Sequence, residues 1–415
     1  MKVLLVTRHF PPGGGGGVQR PLKFASHLPA LGIETHVLAP DVPGAEDAEL
    51  ELPTQAWIHR VRYVGPRSGR PSEQLVAKQG LSRVGTQAAL LGRRLLVPDE
   101  NVPWSTIATP FAIRLVRREG IDVVLTTSPP PSLHLLGATV KRTTGAAWVA
   151  DLRDPLTSHP HRRGYESRLA RVKESTVGGV GRLVASQADA IVAASEPIAE
   201  EMRALEPKGK VVTIANGCDF DDFASLEHHT SDRLRITHAG HFHGKRDPRP
   251  FLRALAESGL DDVVVRFAGD FRVADREYAE ALGLGDRVEL LGEVSRRRSL
   301  ELQRDSDVLL LLIPESGGRG KDVLTGKIYE YLAAERPILA AVPPDGAAAQ
   351  LVREAGAGVV VPSDDVEGLR DALLDLHRQW QEGRLDGTPL SPEWRARLSR
   401  GSRVEELADV LRSVA

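Results

Sequence analysis

Short runs of aliphatic and β-branched residues recur along the chain, and the segments between them place apolar residues at the spacing of a helix that buries one face. In the first half this pattern predicts strands near 2–7, 34–39, 58–64, 122–127, 147–152, 190–194 and 211–215. In the second half it predicts strands near 234–239, 263–268, 288–291, 308–313, 338–342 and 358–361. Several runs are apolar throughout instead of alternating, as a parallel sheet covered by helices on both faces requires. The expected fold class is therefore α/β, with two tandem doubly wound, Rossmann-like domains facing a central cleft. Ligands of such sheets bind outside the carboxyl ends of the strands, so the chemistry is expected there.

Asn216-Gly217 is a turn dipeptide after the seventh predicted strand, and the charge changes sign at the same place. Residues 1–215 hold 27 Lys and Arg against 20 Asp and Glu, or +7; residues 216–415 hold 27 against 36, or −9. The domains are read as 1–215, 216–390 and a tail, 391–415, with one amphipathic helix over 394–411. A length of 415 residues fits two or three units. With 41% hydrophobic and 27% charged residues, the chain is an ordinary folded protein, not a disordered or fibrous one. The longest apolar run, 308–313, is far below the roughly 20 residues of a membrane span, and no signal peptide opens the sequence, so a cytoplasmic location is expected. A single cysteine, Cys218, excludes an intrachain disulfide and a thiolate zinc cluster. Arginine is concentrated between Arg60 and Arg94, and again from His161 to Lys173. These stretches suit anionic lipid or phosphate, with a solvated surface as the plain alternative. Aromatic residues, at 5%, are too few among them to suggest nucleic acid.

Three loops carry candidate chemistry. The first strand leads through His9-Phe-Pro-Pro-Gly13-Gly-Gly15-Gly16-Gly17 into a helix with apolar Val18, Leu22, Ala25 and Leu28. Glycines let a ligand touch backbone, and a helix amino terminus offers amides to an anion. The spacing is neither a Walker loop nor the dinucleotide fingerprint, and a merely flexible loop stays open. In the second domain His238-Ala-Gly240-His241-Phe-His243-Gly-Lys245-Arg246 sets two adjacent cations at a sheet edge, suited to a leaving diphosphate. Further on, Asp322, Thr325, Gly326 and Lys327 follow the most apolar strand and open a helix in which Ile328, Tyr331 and Leu332 share one face. Glu330 points away from that face, where it either binds ribose hydroxyls or is a plain surface glutamate. The histidines of the Gly240 loop and the acidic triplets at Asp219 and Asp305 have simpler explanations than a metal, and none is expected.

The tandem domains, the glycine loop, Asn216-Gly217 and the segment from Gly326 through Glu330 to Pro337 together resemble the GT-B glycosyltransferases of family 4. Thr126-Thr-Ser128-Pro-Pro and Asp151-Leu-Arg153-Asp154-Pro resemble the branch that works on bacterial exopolysaccharide, capsule or O-antigen. The resemblance implies a retaining transfer, without essential metal or other cofactor, from a nucleoside diphosphate sugar to a saccharide or lipid-linked acceptor. Lys245 and Arg246 then serve catalysis electrostatically, and Gly15, Gly16, Gly17, Asp322, Thr325, Gly326, Lys327 and Glu330 hold the donor. Asp322 and Glu330 match the family's Glu-x7-Glu element, with aspartate in the first place. His9, Arg20, Ser128, Asp151, Arg153 and Asp154 are the acceptor-side candidates. The histidine many relatives carry after the fourth strand is replaced here by Thr126, Thr127 and Ser128, and His134 is not its equivalent. The tail resembles the segment that returns to the first domain, and peripheral membrane contact through the basic first domain is a further expectation. A nucleotide-sugar binder without activity, and an NAD-dependent oxidoreductase using Asp41, are the alternatives.

Overall fold

The structure, a computed structural model, describes residues 1–13, 17–41, 51–65, 96–156, 168–242, 246–314, 321, 324–387 and 389–415. The chain divides into two compact units, residues 1–215 with 403–415 and residues 216–402. Both are doubly wound parallel sheets with interleaved helices, so the expected fold class is the observed one.

The first unit contains β1 (Lys2–Val6), β2 (Glu34–Asp41), β3 (Trp57–Arg62), β4 (Val123–Ser128), β5 (Ala147–Leu152), β6 (Ala190–Ala193) and β7 (Lys210–Thr213) in the order β3-β2-β1-β4-β5-β6-β7. Its helices are α1 (Gln19–His27), α2 (Val102–Glu119), α3 (Ser132–Thr144), α4 (Arg168–Gln187) and α5 (Glu196–Arg203). Successive residues of a strand point to opposite faces, and β1 shows the result. Leu5 packs with Phe24 of α1, while Leu4 and Val6 pack with Trp104 and Ala112 of α2.

The second unit orders β8 (Leu234–Ala239), β9 (Val263–Ala268), β10 (Val288–Gly292), β11 (Val308–Leu312), β12 (Ile338–Ala341) and β13 (Gly358–Val361) as β10-β9-β8-β11-β12-β13. Its helices are α6 (Arg249–Glu257), α7 (Val273–Ala281), α8 (Arg296–Arg304), α9 (Gly326–Ala333), α10 (Ala347–Glu354), α11 (Val366–Gln381) and α12 (Pro392–Leu398). In both sheets the winding direction reverses once, between β1 and β4 and between β8 and β11. Loops diverge there and leave a crevice at the carboxyl ends.

The tail departs from expectation. In place of one helix over 394–411 there are two, α12 and α13 (Arg400–Val414), broken at Ser399. The cause is a strand-like pairing: Cys218 donates its amide to the Leu398 carbonyl (2.9 Å), and Arg400 donates its amide to that of Cys218 (3.0 Å). Extended backbone at Ser399 makes this pairing possible and is incompatible with a continuous helix. Accordingly only residues 403–415, not 391–415, belong to the first unit, where Val404, Leu407 and Leu411 enter the core beside Leu5. The Asp219 triplet is part of the same junction, since Asp219 accepts from Arg400 (3.0 Å). Asp305 and Asp307 likewise engage Arg235 at the start of β8, the strand-start role expected of them.

His134 lies fully buried on α3. Trp148 donates to the Thr126 hydroxyl (2.8 Å), which leaves the hydroxyl hydrogen for His134 Nδ1 (2.9 Å), and His134 Nε2 has no partner among the described residues. Burial pushes the imidazole down to about 4, so the folded state holds it neutral where the unfolded chain binds a proton. Stability from this residue is present above pH ~6.5 and is lost as pH falls through about 4, by up to roughly 3 kcal/mol. Denaturant titrations of wild type and His134→Leu across that window should show the variant with the shallower dependence on pH.

Candidate active site

The carboxyl edge of the first sheet gathers most of the acceptor-side candidates at the β1/β4 crevice. Arg153, just beyond β5, donates to the Ser128 carbonyl (3.1 Å) and to the Gly17 carbonyl (2.5 Å), fixing the loop that enters α1. His9 lies against Gly17, with Arg153, Arg8 and Asp154 acting on its charge. Burial first, then Arg153 and Arg8, push it down to about 3, so His9 presents a neutral ring. Gly15 and Gly16 lie outside the described residues.

Arg20 and Asp151 are brought together, but as architecture. Arg20 Nε and Nη2 donate to the Asp151 carboxylate (3.1 and 2.7 Å), Thr127 donates to its other oxygen (2.7 Å), and Arg20 also donates to the Ile214 and Ala215 carbonyls (2.9 and 3.2 Å). Asp151 is 0% exposed, so no acceptor reaches it. Residues the sequence reading missed support this edge. Asp99 accepts from the backbone and hydroxyl of Ser132 (2.7 and 2.9 Å) and so anchors the start of α3. Asn101 accepts from Arg8 (2.9 Å) and Tyr63 (3.1 Å).

At the β8/β11 crevice of the second sheet the described donor-side candidates of the second unit converge; Gly17, the other described one, lies at the first sheet beside Arg153. Lys327, in the first turn of α9, lays its side chain over Gly240, just past β8, and its ammonium lies 3.5 Å from His238 Nε2. His238 is fully buried, and its Nδ1 faces the Leu310 carbonyl (2.8 Å). Nδ1 must therefore donate, which leaves the Nε2 lone pair directed at Lys327. Arg246 donates to the Leu312 and His241 carbonyls (3.1 and 2.7 Å). Tyr331 accepts from the Ala239 amide (2.9 Å) and so ties α9 to the end of β8. Desolvation, and then Arg246, push Lys327 well below the usual ammonium range. A desolvated amine beside a second cation is a site short of negative charge.

The start of α9 adds to this. No side chain caps its first turn, and the Thr325 hydroxyl is buried without a partner among the described residues. Amides and a hydroxyl of this kind receive an anion. Glu330 is half-buried one turn on, where the sequence pattern put it off the apolar face, and it is no solitary surface glutamate. It accepts from Arg296 of α8 (2.7 Å) and from Gln303 (3.4 Å), and Arg296 also reaches Asp222 (2.7 Å). Two carboxylate oxygens carry about four acceptor sites, so lone pairs remain for hydroxyl donors. Lys245 and Asp322 lie outside the described residues. Among the described residues, His241, Asp270 and Glu293 place ligand atoms within 4.8 Å of one another, the one such grouping able to hold a cation.

The model of Glycosyltransferase Family 4 matches residues 14–222, and that of Glycosyl transferases group 1 matches residues 232–379. The chain is a GT-B glycosyltransferase of family 4. No curated protein matches the sequence. Among solved structures, the fold is similar to Anabaena Alr3699/HepE in complex with UDP-glucose, at 16% identity and TM-score 0.65, with 100% of each chain covered. It is also similar to a glycosyltransferase from Rickettsia africae ESF-5, at 15% identity and TM-score 0.64, covering 100% of this chain and 98% of that one. Sucrose-phosphate synthase from Thermosynechococcus elongatus matches at 16% and 0.60, covering 99% and 96%. At these identities the likeness is one of fold, and the residues of this glycosyltransferase have to speak for its site.

A Cβ at Gly240, whose φ is +143°, would stand 1.9 Å from Lys327 Nζ. Gly240→Ala must displace the lysine and strain the positive-φ backbone, so the melting temperature should fall, and calorimetry on the folded variant should show pyrophosphate affinity falling at least about tenfold, as expected when one charged partner of a buried anion is lost.

Proposed function

We propose that this glycosyltransferase moves a sugar from a nucleoside diphosphate sugar to a saccharide or lipid-linked acceptor, with retention of anomeric configuration, in the cytoplasmic synthesis of cell-surface polysaccharide. The observation that carries the reading is the Lys327 ammonium laid over Gly240 beside Arg246, at the switch point of the second sheet and the amino end of α9. Structural neighbours solved with UDP and with UDP-glucose support a nucleotide-sugar donor of this kind.

In this reading the donor diphosphate sits on Lys327, Arg246, the Thr325 hydroxyl and the first amides from Gly326, and Lys245 is assigned to the same diphosphate by the sequence motif. Charge builds on the departing diphosphate as the sugar bond breaks, so fixed cations there stabilise the transition state more than the ground state. Glu330, oriented by Arg296, takes the ribose hydroxyls, and Asp322 takes those of the sugar. A phosphate oxygen accepts the acceptor's proton, so no protein nucleophile and no metal is required. His9, Ser128, Arg153 and Asp154, with the Gly15 to Gly17 loop, line the sugar and acceptor side. Arg20 and Asp151 hold the β5 end in place for them.

A thermal-shift panel of UDP-, GDP-, ADP- and dTDP-sugars should pick out one base, the stabilisation reaching about 2.7 kcal/mol at a hundred times Kd. Turnover of that donor should survive EDTA, and NMR of the product should show the donor's anomeric configuration kept. If no sugar nucleotide stabilises the protein or is consumed, the reading fails; stabilisation without turnover is the outcome of a non-catalytic binder.

Lys327 supplies a separate check. Burial and the Arg246 charge disfavour its ammonium form in the free protein and a bound diphosphate favours it, so donor binding shifts this amine toward proton uptake. Binding heats measured in buffers of different ionisation enthalpy should reveal that proton. Lys327→Met should abolish it and lower kcat/KM by about 100-fold or more.

A further inference from the structure

Arg8, the second residue past β1, is a cation to which sugar transfer has so far given no role. The Thr7 hydroxyl donates to the His9 carbonyl (3.0 Å) and accepts from the His9 amide (3.2 Å), so the backbone on either side of Arg8 is pinned. The Arg8 guanidinium lies over the Tyr63 ring, 4.4 Å from its centroid, and Nε donates to Asn101 Oδ1 (2.9 Å). Tyr63 donates its hydroxyl to the same oxygen (3.1 Å). Asn101 stands at the N-cap of α2, where asparagine ordinarily turns its side chain back on the helix amides. Here it caps nothing and holds the arginine instead.

The rest of the guanidinium is unspent. Its two Nη groups make no hydrogen bond to a described residue, and no described carboxylate pairs with it. Asp99, two residues before Asn101, is occupied by Ser132 and by the Asn101 amide. Arg8 is partly buried, so its charge is only partly hydrated. The adjacent His9 feels the positive charges of Arg153 and Arg8 more strongly than the negative charge of Asp154. An arginine clamped at Nε and stacked on an aromatic face keeps its planar fork aimed and loses little entropy on binding. Such a fork takes an oxyanion through two parallel hydrogen bonds.

We propose that Arg8 reads an anionic group on the acceptor, so that the sugar passes to a phosphate- or carboxylate-bearing saccharide in preference to a neutral one. Position favours the acceptor over the donor. Arg8 follows β1 beside His9, on the sheet that carries the acceptor-side residues, whereas the donor diphosphate is assigned to Lys327 and Arg246 of the other unit. The inference rests on sugar transfer as the function and adds the class of acceptor.

A binding experiment tests it without any transfer. Calorimetry uses glucose 6-phosphate, glucuronate, glucosyl decyl phosphate and glucose as probes on the full chain carrying Lys327→Met, where the donor-side lysine contributes nothing. The anions should bind at least about tenfold more tightly than glucose, and Arg8→Gln should erase that margin, as expected when a charge-assisted bidentate pair is lost. Arg8→Lys, which keeps the charge without the fork, should restore part of it. Asn101→Asp should erase it too, by giving Arg8 a carboxylate of its own, yet without lowering the melting temperature, because aspartate also caps α2. Retention of either phosphate over glucose supports the proposal, and the tighter of the soluble and the lipid-linked one names the source. With Lys327 in place, the thermal shift produced by UDP should be the same in wild type and all three variants. Anions that bind no better than glucose, a margin untouched by Arg8→Gln or Asn101→Asp, or a variant that weakens UDP and acceptor probes alike would each overturn the proposal. Failure of every sugar nucleotide to be consumed would instead sink the transfer reading and leave this binding result standing.

Discussion

An all-parallel sheet buried on both faces leaves only its strand ends for chemistry, and this constraint governs both units. Strands such as Val308–Leu312 are buried from end to end, so a polar group inside the sheet must find its partner within the fold. Thr126 and Trp148 meet that demand with each other and with His134 Nδ1, and Arg20, Asp151 and Thr127 meet it among themselves. The Thr325 hydroxyl and the Lys327 amine, by contrast, lie where the winding of the second sheet reverses and the loops part.

Charge balance separates scaffolding from site. Arg20 meets a carboxylate and two carbonyls, and Arg235 meets Asp305 and Asp307; each set is neutralised by its own members. Around Lys327 the balance is different. Its near neighbours are Arg246, a neutral His238 and, less strongly, Glu330, so positive charge is desolvated without full compensation. Such an arrangement costs stability in the free protein and would be relieved by an anionic ligand, which supports the proposed donor site. The same contrast holds past the end of β1, where Arg8 rests on Tyr63 and Asn101 and meets no carboxylate among the described residues.

The backbone supplies the positions that make this possible. A left-handed glycine at Gly240 opens the path of Lys327 across the end of β8. Tyr331 holds α9 against that strand end through the Ala239 amide, so the helix terminus and the lysine arrive at one place. On the first sheet Arg153 does the corresponding work by joining the carbonyls of Ser128 and Gly17.

Local periodicity determined much of this from the sequence alone. All thirteen expected strands are present, with ends within about two residues of the expected ones, because continuous apolar runs have few ways to be buried. The face of α9 was equally legible, with Ile328, Tyr331 and Leu332 buried and Glu330 outside them, since a 3.6-residue repeat fixes which side chains share a side. The rest depended on residues far apart in the chain. The Arg296 partner of Glu330, the aim of His238 at Lys327, the closure of Arg20 on Asp151 and the break at Ser399 are each set by groups 34 to 182 positions apart (330 − 296 and 400 − 218), which no local pattern encodes. Nothing in the sequence around Trp57 and Phe111 separates them from core residues; only packing decided that their side chains would be exposed, because exposure is a property of what the neighbouring elements leave over.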